Sequence, residues 1–127
     1  MKYVTFSILC LILLIGCKSN DPQVMAIPRE APVQRITMTA QKYHFMPSEI
    51  VVKQGTHVII DVTSLDVKHG LRIDEYGINV PLPPKQTAHV EFFAGKEGTF
   101  PFECSEFCGV GHFGMKGKII VKPASQE

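Results

Sequence analysis

The sequence predicts an all-β domain built as a Greek-key sandwich or barrel of short strands. Apolar and polar residues alternate over several short runs, the period of a half-buried strand. Ten glycines and nine prolines punctuate the chain between those runs. No heptad, internal repeat or amphipathic helix of useful length interrupts the pattern. With 127 residues, 45% hydrophobic and 20% charged, there is material for one domain. A net charge of +1 offers no basic footprint for nucleic acid.

The elements follow in order. Lys2 gives a positive start, and the largely apolar run Val4 to Ile15 is too short to span a bilayer as a helix. It fits the core of a secretory signal over residues 1–16. Leu14-Ile15-Gly16-Cys17 resembles a bacterial lipobox. That resemblance implies cleavage after Gly16, a lipid on Cys17 and a place on the extracytoplasmic face of a bacterial membrane. An ordinary signal, or a short anchor that happens to contain Cys, is the other reading. Residues 17–32 then carry the lipidated Cys and a tether, with Pro22, Pro28 and Pro32 among mostly polar residues. The domain is expected over residues 33–123, followed by a tail over 124–127.

Within the domain, Ile36, Met38 and Ala40 alternate with Thr37, Thr39 and Gln41 as a first strand. Tyr43 to Pro47 reads as a strand end entering a turn. Ile50 to Lys53 and His57 to Thr63 are further strands, the latter burying Val58, Ile60 and Val62. Ser64 to His69 is a polar loop, and Leu71 to Ile73 a short strand before a turn at Glu75-Tyr76-Gly77. Ile78 to Pro84 is too rich in Pro for a central strand. Gln86 to Phe93 alternates again, with Ala88, Val90 and Phe92 on one face. Gly98 to Phe102 leads into a Cys-containing loop, and Lys118 to Lys122 closes the domain. Seven or eight strands are expected in all.

Export would remove Cys10 and modify Cys17, leaving Cys104 and Cys108 as thiols in an oxidising compartment. Loss of Lys2 would also leave basic and acidic side chains equal in number. The two thiols could pair as a plain disulfide. Their company argues for metal: His112 and Met115 follow closely in a Gly-rich loop, and His69 lies 35 residues before Cys104. Cys104, Cys108, His112 and His69 would satisfy a tetrahedral zinc site. Met115 tips the balance, because a thioether is a common weak axial ligand of copper. A mononuclear blue-copper site needs one Cys, and this chain has two. Two thiolates bridging two copper ions would use every ligand, with one His for each metal.

Cys104-x-Glu106-x-Cys108-Gly109-x-x-His112-x-x-Met115, with His69 upstream, resembles the CuA domain of cytochrome c oxidase subunit II, a centre also found in nitrous oxide reductase. The likeness extends over residues 34–122, through Phe45-x-Pro47-x-Glu49-Ile50, Val52-x-x-Gly55 and Val67-x-His69-Gly70. It implies a cupredoxin fold and a binuclear copper centre bridged by Cys104 and Cys108. It further implies His69 and His112 on one ion each, Met115 as the weak ligand of one, and the Glu106 carbonyl as that of the other. The implied function is one-electron transfer between a donor such as cytochrome c, or another small redox protein, and a terminal oxidase or reductase. The chain would not be an enzyme by itself but a component of an oxidoreductase complex. A copper storage or delivery lipoprotein is the rival from another class. No Ser-His-Asp arrangement, phosphate loop or pair of catalytic carboxylates appears.

Other residues receive plainer expectations. His44, His57 and His89 are strand or turn residues without ligand partners. Met38 and Met46 fill the core or a strand edge. Glu103 and Glu106 are candidates for attracting a basic cytochrome. Phe107 and Phe113 either ring His112 or lie buried beneath the loop. Asp66 and Lys68 receive no role. Relatives commonly place an aromatic cluster with Trp near the copper, and this chain has no Trp.

Overall fold

The computed structural model describes residues 26–125. The predicted signal over 1–16, Cys17 and the first part of the tether lie outside the described residues, as do the last two of the tail. Two sheets face each other. One has four strands in the order β2-β1-β4-β7, formed by β1 (Val33–Gln41), β2 (His44–Met46), β4 (Thr56–Ser64) and β7 (Thr87–Ala94). The other has five in the order β3-β9-β8-β5-β6, formed by β3 (Glu49–Lys53), β5 (His69–Ile73), β6 (Ile78–Leu82), β8 (Gly98–Glu103) and β9 (Lys116–Lys122). β1 runs parallel to β4 and β3 parallel to β9, while the remaining pairs are antiparallel.

The alternation does what the sequence asks of it. β4 buries Thr56, Val58, Ile60, Val62 and Ser64 and turns His57, Ile59, Asp61 and Thr63 outward. Met38 and Ala40 of β1, and Val90 and Phe92 of β7, close on the same core, with Ile36 and Ala88 half-buried at its margin. Each large apolar side chain so enclosed contributes about 1.5–3 kcal/mol. Nine strands form among the described residues rather than seven or eight. The Pro-rich run supplies the extra one: β6 lies at a sheet edge, where Pro81 need not donate to a further neighbour. Tyr43 to Pro47 holds the short strand β2 rather than a strand end alone. β5 also starts earlier than expected, so His69 and Gly70 belong to the strand, paired with Leu82 and Pro81. Met38 is core, whereas Met46 is exposed on the edge strand β2.

β9, β8 and β5 lie side by side in the five-stranded sheet. Because β8 is antiparallel to both neighbours, its end meets the starts of β5 and β9. His69 opens β5, Cys104 follows β8, and Met115 precedes β9. Residues that the chain separates by dozens of positions are thus delivered to one end of the barrel.

Candidate metal centre

The loop from Cys104 to Met115 is held by its own backbone. The Cys104 amide donates to the Met115 carbonyl at 3.0 Å, closing the loop at its base. The amides of His112, Gly114 and Met115 donate to the carbonyls of Gly109, Gly111 and His112, winding the short 3-10 turn His112–Gly114. Tyr43 forms the floor: a Cβ on Gly109 or Gly111 would run into its ring. Gly109, at φ +132°, also needs the backbone freedom of glycine. Gly70 is tight for the same spatial reason, since a Cβ there would strike the Ser105 hydroxyl. Ser105 in turn donates to Asn79 Oδ1 of β6 at 2.8 Å.

All six residues singled out as ligands from the sequence meet at this end. Cys104 Sγ and Cys108 Sγ lie 3.8 Å apart. His69 Nδ1 is 3.9 Å from Cys104 Sγ, and His112 Nδ1 is 3.8 Å from Cys108 Sγ. Met115 Sδ stands 3.9 Å from Cys108 Sγ, and the Glu106 carbonyl oxygen 3.1 Å from Cys104 Sγ. Each sulfur therefore has one imidazole nitrogen and one weak donor within reach. The ligand atoms of His69, Cys104 and Cys108 all fall within 4.8 Å of one another, a spacing that can hold a metal ion. His69 and Met115 are fully buried and both thiols nearly so, while His112 reaches the surface. Both cysteines are free thiols.

Burial, and after it the neighbouring Cys104, pushes the Cys108 thiol from 9.0 up to about 11. The thiol is therefore protonated at neutral pH, and metal uptake must displace that proton. The raised value favours the metal-free fold fully below pH 9 and loses that contribution as pH climbs toward 11. The melting temperature of the metal-free protein is expected to fall across that window, and Cys108→Ser to flatten the fall. Metal uptake followed in weakly buffered solution should acidify it.

Asp66 is the functional residue that sequence reasoning passed over. Its carboxylate accepts from the Lys42 amide at 2.8 Å and the Val67 amide at 2.6 Å, and lies 2.7 Å from His69 Nε2. Burial alone would raise its pKa, but these hydrogen bonds outweigh it and hold the carboxyl at about 2. An ionised carboxylate only accepts, so His69 carries its proton on Nε2 and turns the lone pair of Nδ1 toward Cys104. The signal in the sequence was an Asp three positions before a candidate ligand His, the outer partner that such imidazoles usually need. Asp66→Ala leaves the buried Nε2 without an acceptor and is expected to cost about 1–3 kcal/mol and about 10–100-fold in metal affinity. Asp66→Asn keeps one acceptor oxygen for His69 Nε2 but sets its NH2 group against the Lys42 amide, so it should recover only part of both, as read by thermal melts and competitive metal titration.

Several plainer expectations are corrected or refined. Glu103 and Glu106 are not free acids: Glu103 pairs with Arg72 and Glu106 with Lys68 at 3.1 Å, because β5 and the loop before it carry those cations beside the Cys loop. Lys68 thus ties the two ligand-bearing loops together across the surface. Phe107 and Phe113 are not buried; at 73% and 79% exposure they stand 5.6 and 5.1 Å from the His112 ring as a collar. His57 and His89 lie away from the thiols and pair with Glu91 and Asp61 on the outer face of the four-stranded sheet. His44 is exposed on β2.

Residues 6–121 match the family described as the cupredoxin-like domain. The chain belongs to that family. It is 32% identical over 103 residues to cytochrome c oxidase subunit 2 of Thermus thermophilus, covering 80% of this chain and 76% of that one. It is 34% identical over 100 residues to the nitrous-oxide reductase of Stutzerimonas stutzeri, covering 76% of this chain but only 16% of the reductase. Among solved structures, a chain of a heme-copper terminal oxidase dimer superimposes with a TM-score of 0.68 at 34% identity, covering 76% of this chain and 68% of that one. This cupredoxin-like domain is thus related to oxidase subunit 2 and to a small part of nitrous-oxide reductase.

Proposed function

We propose that this cupredoxin-like protein holds a binuclear CuA centre and relays single electrons in a respiratory chain. One observation carries the reading. Two buried thiols stand 3.8 Å apart, each with its own imidazole and its own weak donor. The donor chemistry fits: two thiolates, two imidazoles, a thioether and a carbonyl are soft to borderline ligands suited to copper. Cys104, Cys108, His69, His112, Met115 and the Glu106 carbonyl would hold the two ions, as the CuA resemblance implies. When bound, the pair supplies a one-electron couple shared between two metals.

The chain's own residues account for the rest. Asp66 fixes the His69 tautomer, and Tyr43 and the backbone turn keep the loop in one shape. Phe107 and Phe113 exclude water around the edge of His112 that a partner would meet. The proposed donor is a cytochrome c or another small redox protein, and the acceptor a terminal haem-copper oxidase or similar reductase. Membrane attachment through Cys17, export by the signal over 1–16 and a site of action on the extracytoplasmic face complete the proposal. The chain then serves as a component of an oxidoreductase complex and does no chemistry on an organic substrate. Copper storage or delivery suits shallow, exposed ligands, whereas His69 and Met115 here are fully enclosed.

The test is metal counting and electron paramagnetic resonance on the copper-loaded protein. An electron shared equally by two copper nuclei gives seven hyperfine lines, and a single copper gives four. One ion per chain, or a colourless protein, would overturn the reading. Met115→Leu should keep the seven lines and shift the potential, measured by spectroelectrochemical titration.

A further inference from the structure

The ligand end of the barrel has an unexpected balance of charge. Its carboxylates are each engaged within the molecule: Asp66 with His69, Glu103 with Arg72 and Glu106 with Lys68. Its lysines are not all so engaged. Lys42 sits in the turn between β1 and β2, Lys85 in the loop between β6 and β7, and Lys116 opens β9. All three are exposed, and among the described residues none of their ammonium groups pairs with a carboxylate. The Lys85 ammonium instead donates to the Leu65 carbonyl.

Beside the collar lies an open cavity of about 260 Å³, bordered by Arg72, Ser105, His112, Phe113 and Lys116 along with Glu103 and Cys104. Arg72 is already flanked by two carboxylates, Glu103 at one edge of its guanidinium and Asp74 3.3 Å from its Nε. Lys116 lies directly across from Glu103 in the β8–β9 register, and Glu103 turns to Arg72, so the Lys116 ammonium makes no ion pair among the described residues. The cavity thus places the Lys116 ammonium next to His112, the ligand that reaches the surface. Phe107, Val110 and Phe113, all largely exposed, supply the apolar rim.

We infer that this end docks the acidic face of a small redox protein, whose carboxylates meet Lys42, Lys85 and Lys116 around the collar. The inference rests on the electron-relay reading and names the chemistry of its partner. A lysine-ringed partner would meet Lys42, Lys85 and Lys116 as like charges, and like-charge juxtaposition suppresses docking. An acidic partner is drawn in by the same lysines, at a rate that falls as salt screens the attraction. The apolar rim then supplies contact that salt does not weaken.

The probes are two forms of one haem protein: cytochrome c with its native lysines, and the same protein succinylated so that those lysines carry carboxylates. Electron exchange with the copper-loaded protein is followed by stopped-flow across ionic strength. Docking is followed separately by NMR on the copper-loaded, reduced protein and on the metal-free chain. The succinylated form is expected to react about tenfold faster at low salt, to slow as salt rises, and to shift the amides of Phe113 and Lys116. Lys116→Glu with Lys42→Glu should reverse the preference, and Lys116→Gln alone should weaken it. Lys53→Glu, at the far end of β3, is the control for net charge. Faster exchange with the native form, no amide shifts at the collar, or an equal effect of Lys53→Glu would overturn the inference. Because docking is also read on the metal-free chain, failure of the copper pair to assemble registers in the resonance spectrum and not as a failure of docking.

Discussion

Exchanging Cys108 for Ser is expected to abolish the seven-line signal and lower copper uptake from two ions per chain toward one. The reason is local. Cys108 Sγ lies 3.8 Å from His112 Nδ1 and 3.9 Å from Met115 Sδ, and is also one half of the sulfur pair. A serine hydroxyl is a harder donor that does not ionise near neutral pH, so it offers copper no soft bridging anion. Cys104, with His69 at 3.9 Å and the Glu106 carbonyl at 3.1 Å, would remain as a one-sulfur site. The residual spectrum, if copper still binds, should show four lines. Retention of the seven-line pattern in Cys108→Ser would refute two-sulfur bridging directly. The fold itself should survive, since the loop is closed by backbone hydrogen bonds from Cys104 to Met115 and within the 3-10 turn.

The candidate ligands stood out in the sequence because most of them lie in one loop. Cys104, Cys108, His112 and Met115 declare their chemistry by type and spacing, and His69 joined them as the second imidazole that two thiols and one His lacked. The strand pattern was legible for a related reason: a sheet with one face on the core writes its period into β1, β4 and β7. What could not be read were relations between distant segments. Glu103 looked like a free surface acid because Arg72 is 31 residues away, and only the placing of β5 against β8 joins them. Lys68 and Glu106 are hidden in the same way, on two loops that meet only after the sheet has formed. Asp66 lies only three positions from His69, but its role depends on the loop bending so that the Lys42 amide also reaches it. Proline in β6 marked a strand that could not be central, yet composition alone did not show that an edge was open to it.

Gly117→Ala is expected to be among the most destabilising single changes in the domain, although it adds one methyl group. Gly117 lies in β9 opposite Phe102 of β8. A Cβ there would overlap both the Phe102 ring and the Ser48 carbonyl oxygen. Neither neighbour can yield easily. Phe102 is 1% exposed and packs edge-on against Phe45, with ring centroids 5.4 Å apart. Ser48 O already accepts from the Lys118 amide at 2.9 Å, so moving it breaks a bond that ties β9 to the segment before β3. Overpacking of this kind costs about 1–3 kcal/mol and sometimes more, out of a total of about 5–15 kcal/mol. At the upper figure the melting temperature should fall by about 10 °C or more. The two obstacles can be separated by trimming the ring. Phe102→Leu alone should destabilise through the space it leaves, and combined with Gly117→Ala it should relieve the ring contact but not the carbonyl. The double variant is therefore expected to remain well below the parent in thermal melts. Full recovery would mean that the Phe102 ring alone sets the limit on residue 117. Since Met115 and the base of the ligand loop lie immediately before this point, copper affinity should fall in step with the loss of stability.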